Sequence, residues 1–164
     1  MTISKVVVNS SPLITLYNSQ LISLMPLLFN QICIPPAVWR EVTLYKVDEA
    51  AQSLPKTSWV AKTATIAVNP LISNWNLGDG ETEVLSYALS HPEFTAIVDD
   101  AAARKCAVSL NISTIGTVGM IVLAKRRGLI PSVTAPIQAL RNAGLWLGDD
   151  LVDLLKKQAG ESDH

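Results

Sequence analysis

Short apolar runs that alternate with helix-length segments constrain this chain more than any other feature. Val6-Val7-Val8, Ile32-Cys33-Ile34, Phe94-Thr95-Ala96-Ile97-Val98 and Ile112-Ser113-Thr114 are each too short for a helix, and each is followed by a helical-looking stretch. A strand, a helix and a further strand join as a right-handed crossover, which sets neighbouring strands parallel and covers both faces of the sheet. The expected fold is therefore α/β, a single three-layer α/β/α domain around a mostly parallel central sheet. It takes up residues 1–160, and residues 161–164 form a polar tail.

The helices have readable ends. Ser11 is the expected N-cap of the first, with Pro12 at its opening position, so that Leu13 to Tyr17 and Leu21 to Phe29 form two short helices. Pro35-Pro36 ends the second strand and opens a helix from Ala37 to about Tyr45, in which Val38 and Val42 share a face and Glu41 points elsewhere. Val47 to Leu54 reads as helix, and a strand is expected at Trp59-Val60 or over Thr65 to Val68. Asp79 is the expected cap of a helix reaching Ser90, with Glu81 in its first turn. Further helices are expected over Asp100 to Leu110, Met120 to Arg127, Val133 to Asn142 and from Asp149-Asp150 to Gln158.

Composition excludes several classes of function. No run reaches the ~18 apolar residues of a membrane span, and Met1 to Lys5 lacks the features of a secretory signal, so a cytoplasmic location is expected. The formal net charge of −1 gives no general coat for nucleic acid, so any such binding needs a local patch. Lys125-Arg126-Arg127, Arg104-Lys105 and Arg40 supply the candidates, and the same cations suit helix C-termini. Cys33 and Cys106 lie in apolar surroundings and read as buried structural thiols. His91 precedes Pro92 and His164 is the last residue, so no histidine-based triad is expected, and no Gly-rich phosphate loop occurs.

Chemistry concentrates at strand ends. Asp99 and Asp100 stand between a strand and a helix, where open α/β sheets place their ligands. Asn9 follows the first strand, and Glu81 opens the helix before the Asp99 strand, so these groups can converge on one edge. Two adjacent carboxylates suit a hard cation such as Mg²⁺. Each candidate also has a structural reading: Asn9 as a turn, Glu41 as a solvated helix acid, Glu81 as a partner of a helix N-terminus, and Asp100 as an N-cap. Asp79, Asp149 and Asp150 are assigned to capping, and Trp39, Trp59, Trp75 and Trp146 to core or interface.

Six motifs occur in order: Asn9-Ser10-Ser11-Pro12-Leu13-Ile14; Ile34-Pro35-Pro36-Ala37-Val38 with Glu41; Gly78-Asp79-Gly80-Glu81-Thr82-Glu83; Val98-Asp99-Asp100; Thr114-Ile115-Gly116-Thr117-Val118-Gly119; and Ala124 through Pro131. Together they resemble the PIN-domain superfamily, and within it the prokaryotic DUF3368 branch related to VapC-type toxins, over roughly residues 5–160. The resemblance implies a ribonuclease dependent on Mg²⁺ or Mn²⁺, an RNA substrate, a small antitoxin protein as partner and a homodimer. Carried over by position, Asn9, Glu41, Glu81 and Asp100 are the catalytic candidates. Asp100, Asp99, Glu81 and Asn9 are the metal candidates. Ser11, Arg104 and Lys125 are the substrate-binding candidates. The first position departs from the family ring, which has Asp there. An amide carbonyl still ligates a hard cation, but it carries no charge and takes no proton from water. Weaker metal binding and slower chemistry are expected, and the competing reading is a catalytically impaired PIN scaffold that binds RNA or a protein.

Overall fold

Three consecutive valines form the central strand of the sheet. In the computed structural model, which describes residues 2–44 and 47–161, Val6, Val7 and Val8 are wholly buried in β1 (Lys5–Val8). A strand with apolar side chains on both faces must be covered on both, as happens at the centre of a parallel sheet. The chain continues through α1 (Ser10–Asn18), α2 (Leu24–Leu28), β2 (Gln31–Ile34), α3 (Pro36–Thr43) and α4 (Glu49–Ser53), which runs into a 3₁₀ turn over Leu54–Lys56. β3 (Val60–Lys62), α5 (Pro70–Ser73), α6 (Asp79–Ser90), β4 (Thr95–Ile97) and α7 (Ala101–Ser109) follow. β5 (Thr114–Ile115), α8 (Thr117–Arg126), α9 (Thr134–Asn142) and α10 (Asp149–Gln158) complete the described chain.

The described sheet has five strands in the order β3-β2-β1-β4-β5, and every pairing is parallel. The expected three-layer α/β/α fold is therefore the observed one. Val6 pairs with Ile32 on one side and with Thr95 on the other, so β1 is central and its end lies beside the end of β4. Leu13 and Leu16 from α1, Val38 and Val42 from α3, Val84 and Leu85 from α6 and Met120 and Ile121 from α8 join the strands in one core. Arg127 fastens the lower end: its guanidinium donates to the carbonyls of Leu28 at 2.6 Å and Ile3 at 2.9 Å. No helix among the described residues is long and apolar enough to cross a membrane.

Several boundaries differ from expectation. α1 begins at Ser10, so Asn9 and not Ser11 holds the N-cap position, although no side-chain cap bond forms there. The Asn9 carbonyl already accepts the Leu13 N–H at 3.3 Å, and Pro12 falls within the first turn, where its missing N–H costs nothing. Asp79 is the first residue of α6 behind a Gly78 cap and makes no capping bond of its own. The same holds for Asp149, which follows a Gly148 cap and accepts from Arg141 at 3.1 Å. α8 starts at Thr117, three residues early, because Asp99 receives its first N–H. β3 settles on Val60–Lys62, and Thr65 to Val68 belongs to no strand. α3 ends at Thr43; Tyr45, at its expected end, and residues 162–164 of the expected tail lie outside the described residues. Trp39 and Trp59 pack in part against the core, whereas Trp75 and Trp146 are exposed.

Candidate active site

The parallel sheet delivers the ends of β1 and β4 to one edge. The Asn9 N–H extends the ladder by one bond, donating to the Ile97 carbonyl at 3.0 Å, which buries Asn9 to 3% exposure. Immediately beyond it α1 begins, and Ser10 turns its hydroxyl onto α3, donating to Glu41 Oε2 at 2.9 Å. Glu41 stands away from the face that buries Val38 and Val42, so its carboxylate emerges between α1 and α6.

α6 reaches Glu41 closely because position 80 has no side chain. A Cβ on Gly80 would run into the Glu41 carboxylate, lying 3.1 Å from its Cδ. One residue on, Glu81 Oε2 accepts the Gly78 N–H at 3.0 Å, one half of a capping box that fixes its side chain over the helix end. Glu83 ties the same two helices together: its Oε1 accepts the Ala37 N–H of α3 at 3.0 Å. A cavity of about 460 Å³ results, lined by Asn9, Ser10, Ser11, Ile14 and Thr15 from the β1–α1 segment and by Glu41 and Glu81.

Of the sequence-stated candidates, the fold thus gathers Asn9, Ser11, Glu41 and Glu81. Asp99, Asp100, Arg104 and Lys125 do not line this cavity. Asp99 faces α8, where Oδ1 accepts the Thr117 N–H at 2.8 Å and Oδ2 accepts the Thr117 hydroxyl at 2.6 Å. Asp100 caps α7 through Oδ2, which accepts the Ala103 N–H at 2.9 Å, and its Oδ1 has no partner among the described residues. Arg104 lies beside Asp99 over Gly116, where an added Cβ would sit 3.0 Å from Asp99 Oδ1 and 3.2 Å from Arg104 Nη1. Lys125 is engaged elsewhere, donating to the Pro131 carbonyl at 2.7 Å with Glu161 3.8 Å away. Arg126 donates to the Gln158 carbonyl, so the basic run of α8 secures its own surroundings.

Ser10, Ile14, Thr15 and Glu83 had no role in the sequence reading. Ser11, Ile14 and Thr15 fall three and four residues apart, the spacing of one helix face, so the first two lining positions beyond Ser11 were there to be found. Glu83 carried no local signal, because its partner lies 46 residues away.

Among the described residues no three His, Cys, Asp or Glu side chains form a metal cluster. The donors around the cavity are nevertheless all oxygen: two carboxylates, an amide carbonyl and serine hydroxyls. That set fits Mg²⁺ or Mn²⁺, since Mg²⁺ commonly takes one or two carboxylates and keeps several waters. The cysteines offer no competing chemistry. Cys106 is buried as expected, whereas Cys33 is only half-buried; burial pushes the Cys33 thiol up, against a weaker lowering by Tyr87, and burial likewise raises Cys106.

No curated protein matches the chain. The family model of DUF3368, a PIN domain, matches residues 5–161, and the chain belongs to that family, which carries a nuclease-type fold.

Proposed function

We propose that this protein is an endoribonuclease of PIN type that works with Mg²⁺ or Mn²⁺, the toxin of a toxin–antitoxin pair. One observation carries the reading: Asn9, Glu41 and Glu81, from three elements far apart in sequence, line one cavity at the carboxyl edge of an all-parallel sheet. Glu41 and Glu81 would hold the cation with the Asn9 carbonyl, and Asp100 brings a further carboxylate oxygen to the same edge from the neighbouring strand. When bound, such a cation acidifies water and offsets charge on the leaving oxygen of a phosphodiester. Ser10 fixes the direction of one Glu41 oxygen by donating to Oε2. In this reading Ser11, exposed at the start of α1, would donate to a phosphate oxygen, and Arg104 would supply positive charge at the β4 side of the edge. The same reading includes a small antitoxin, a homodimer and a cytoplasmic setting; exposed Trp146 and Leu154 provide apolar surface for protein partners.

The test is incubation of purified protein with structured and single-stranded RNA, with Mn²⁺ and with chelator. Cleavage that needs the metal and is lost in Glu41→Gln supports the reading; intact RNA under all conditions overturns it.

Asn9 favours a second reading. It is buried and uncharged at the position where a catalytic ring has its first carboxylate, which suits a scaffold that binds RNA or protein without cutting. Asn9→Asp separates the two. Tighter Mn²⁺ binding by calorimetry together with faster cleavage marks a weakened nuclease, whereas RNA binding without metal binding in either form marks the scaffold.

A further inference from the structure

Glu41 lines two hollows. Besides the acid cavity, it borders a space of about 330 Å³ lined also by Ala37, Arg40, Gly78 and Asp79. Its chemistry is mixed, with a guanidinium from α3 and a carboxylate from the first residue of α6. Arg40 and Asp79 are exposed, and neither has a hydrogen bond or ion pair with a described residue. Asp79 stands between two glycines, so the main chain around it is bare. The volume is at the small end for ligand pockets, about 300–1,000 Å³, and suits one planar ring system.

A phosphate suits this hollow poorly, because Asp79 and Glu41 both repel it. A neutral ring with donors on one side and acceptors on the other suits it well. Among the RNA bases, guanine alone offers a carboxylate two adjacent N–H donors, at N1 and N2, and offers a guanidinium fork the acceptors O6 and N7. Unpaired RNA bases are read on these edges once they are splayed out of the strand.

We propose that the hollow is a guanine subsite, in which Asp79 accepts from N1–H and N2–H and Arg40 donates to O6 and N7. The inference rests on the RNA-cleaving reading for its substrate class. Because Glu41 lines both spaces, the guanine bound here belongs to a nucleotide next to the phosphate that is cut. Arg40 and Asp79 thereby set sequence preference, and the acid cavity sets the reaction.

The experiment is fluorescence anisotropy of the full chain with end-labelled UUGUU, UUAUU, UUCUU and UUUUU, without added metal. UUGUU should bind about 100-fold more tightly than the others, the scale of two bidentate base contacts at about tenfold each. Asp79→Asn and Arg40→Gln should each cut that preference about tenfold, and the double variant should bring the four RNAs within about twofold of one another. Equal or absent binding, or a guanine preference undiminished in the double variant, overturns the subsite. A parallel Mn²⁺ cleavage assay separates the two ideas. Preference without cleavage supports the subsite and overturns the nuclease reading; cleavage without preference does the reverse.

Discussion

Two acidic regions share one sheet edge and use their carboxylates differently. At the end of β1, Glu41 and Glu81 keep open space before them, and a cavity forms between α1, α3 and α6. At the end of β4, Asp99 and Asp100 are drawn onto helix N-termini, Asp99 to Thr117 of α8 and Asp100 to Ala103 of α7. The first region gains a place for chemistry, and the second gains rigidity where two helices leave the sheet. Both depend on a glycine: Gly80 admits Glu41, and Gly116 admits Asp99 with Arg104. Charge at a strand end is thus not by itself a site. It becomes one when the packing leaves open space in front of the carboxylates, as it does between α1, α3 and α6.

The contrast can be broken most severely at Glu41. Glu41→Gln keeps the shape and the Ser10 contact but removes the charge, and kcat/KM on RNA should fall about 100-fold or more with the circular dichroism spectrum unchanged. Gly80→Ala attacks the same carboxylate from α6. The new methyl displaces Glu41, so kcat/KM should fall about 30-fold, roughly 2 kcal/mol in barrier, while urea unfolding changes by less than about 1 kcal/mol. The β4 region should answer in the opposite currency. Thr117→Val leaves Asp99 Oδ2 without its donor and should cost about 1–2 kcal/mol in urea unfolding, with a smaller effect on cleavage. Asp100 sharpens the boundary between the regions. Asp100→Ala loses the α7 cap and about 1 kcal/mol of stability, whereas Asp100→Asn still caps and should retain its Tm. A fall in cleavage of about fivefold in Asp100→Asn, some 1 kcal/mol, would show its free oxygen acting at the site; a cut in Tm instead would reduce Asp100 to a cap.

Much of this was legible in the chain. The valine run of β1 and the apolar core of β4 fix a parallel α/β order, because only strands covered on both faces tolerate such sequences. That Asn9 and the Asp99-Asp100 pair follow neighbouring parallel strands fits right-handed crossovers, but the structure turns the pair onto α7 and α8 and not into the cavity that Asn9 and Glu81 line. Less legible were the caps. Asp79 looked like one, but Gly78 holds that position; Lys125 looked available for substrate, but it is held by Pro131 and Glu161. Local spacing names residue types that suit a role, and several residues suited the same role.

While it left β3 open between two segments and gave no sign of α5, the sequence by itself determined the alternation of strands and helices outside residues 46–76 and the parallel sheet. These follow from periodicity and turn chemistry within a few residues. Only the tertiary structure decided that Glu41 and Glu81 share a cavity, that Asp99 belongs to Thr117, and that Arg40 and Asp79 face one hollow. A carboxylate binds whichever unsatisfied donor the packing brings within about 3 Å, and that donor lies 18 residues away for Asp99 and 31 for Glu41. Periodicity does not reach that far; the crossing of helices over the sheet does.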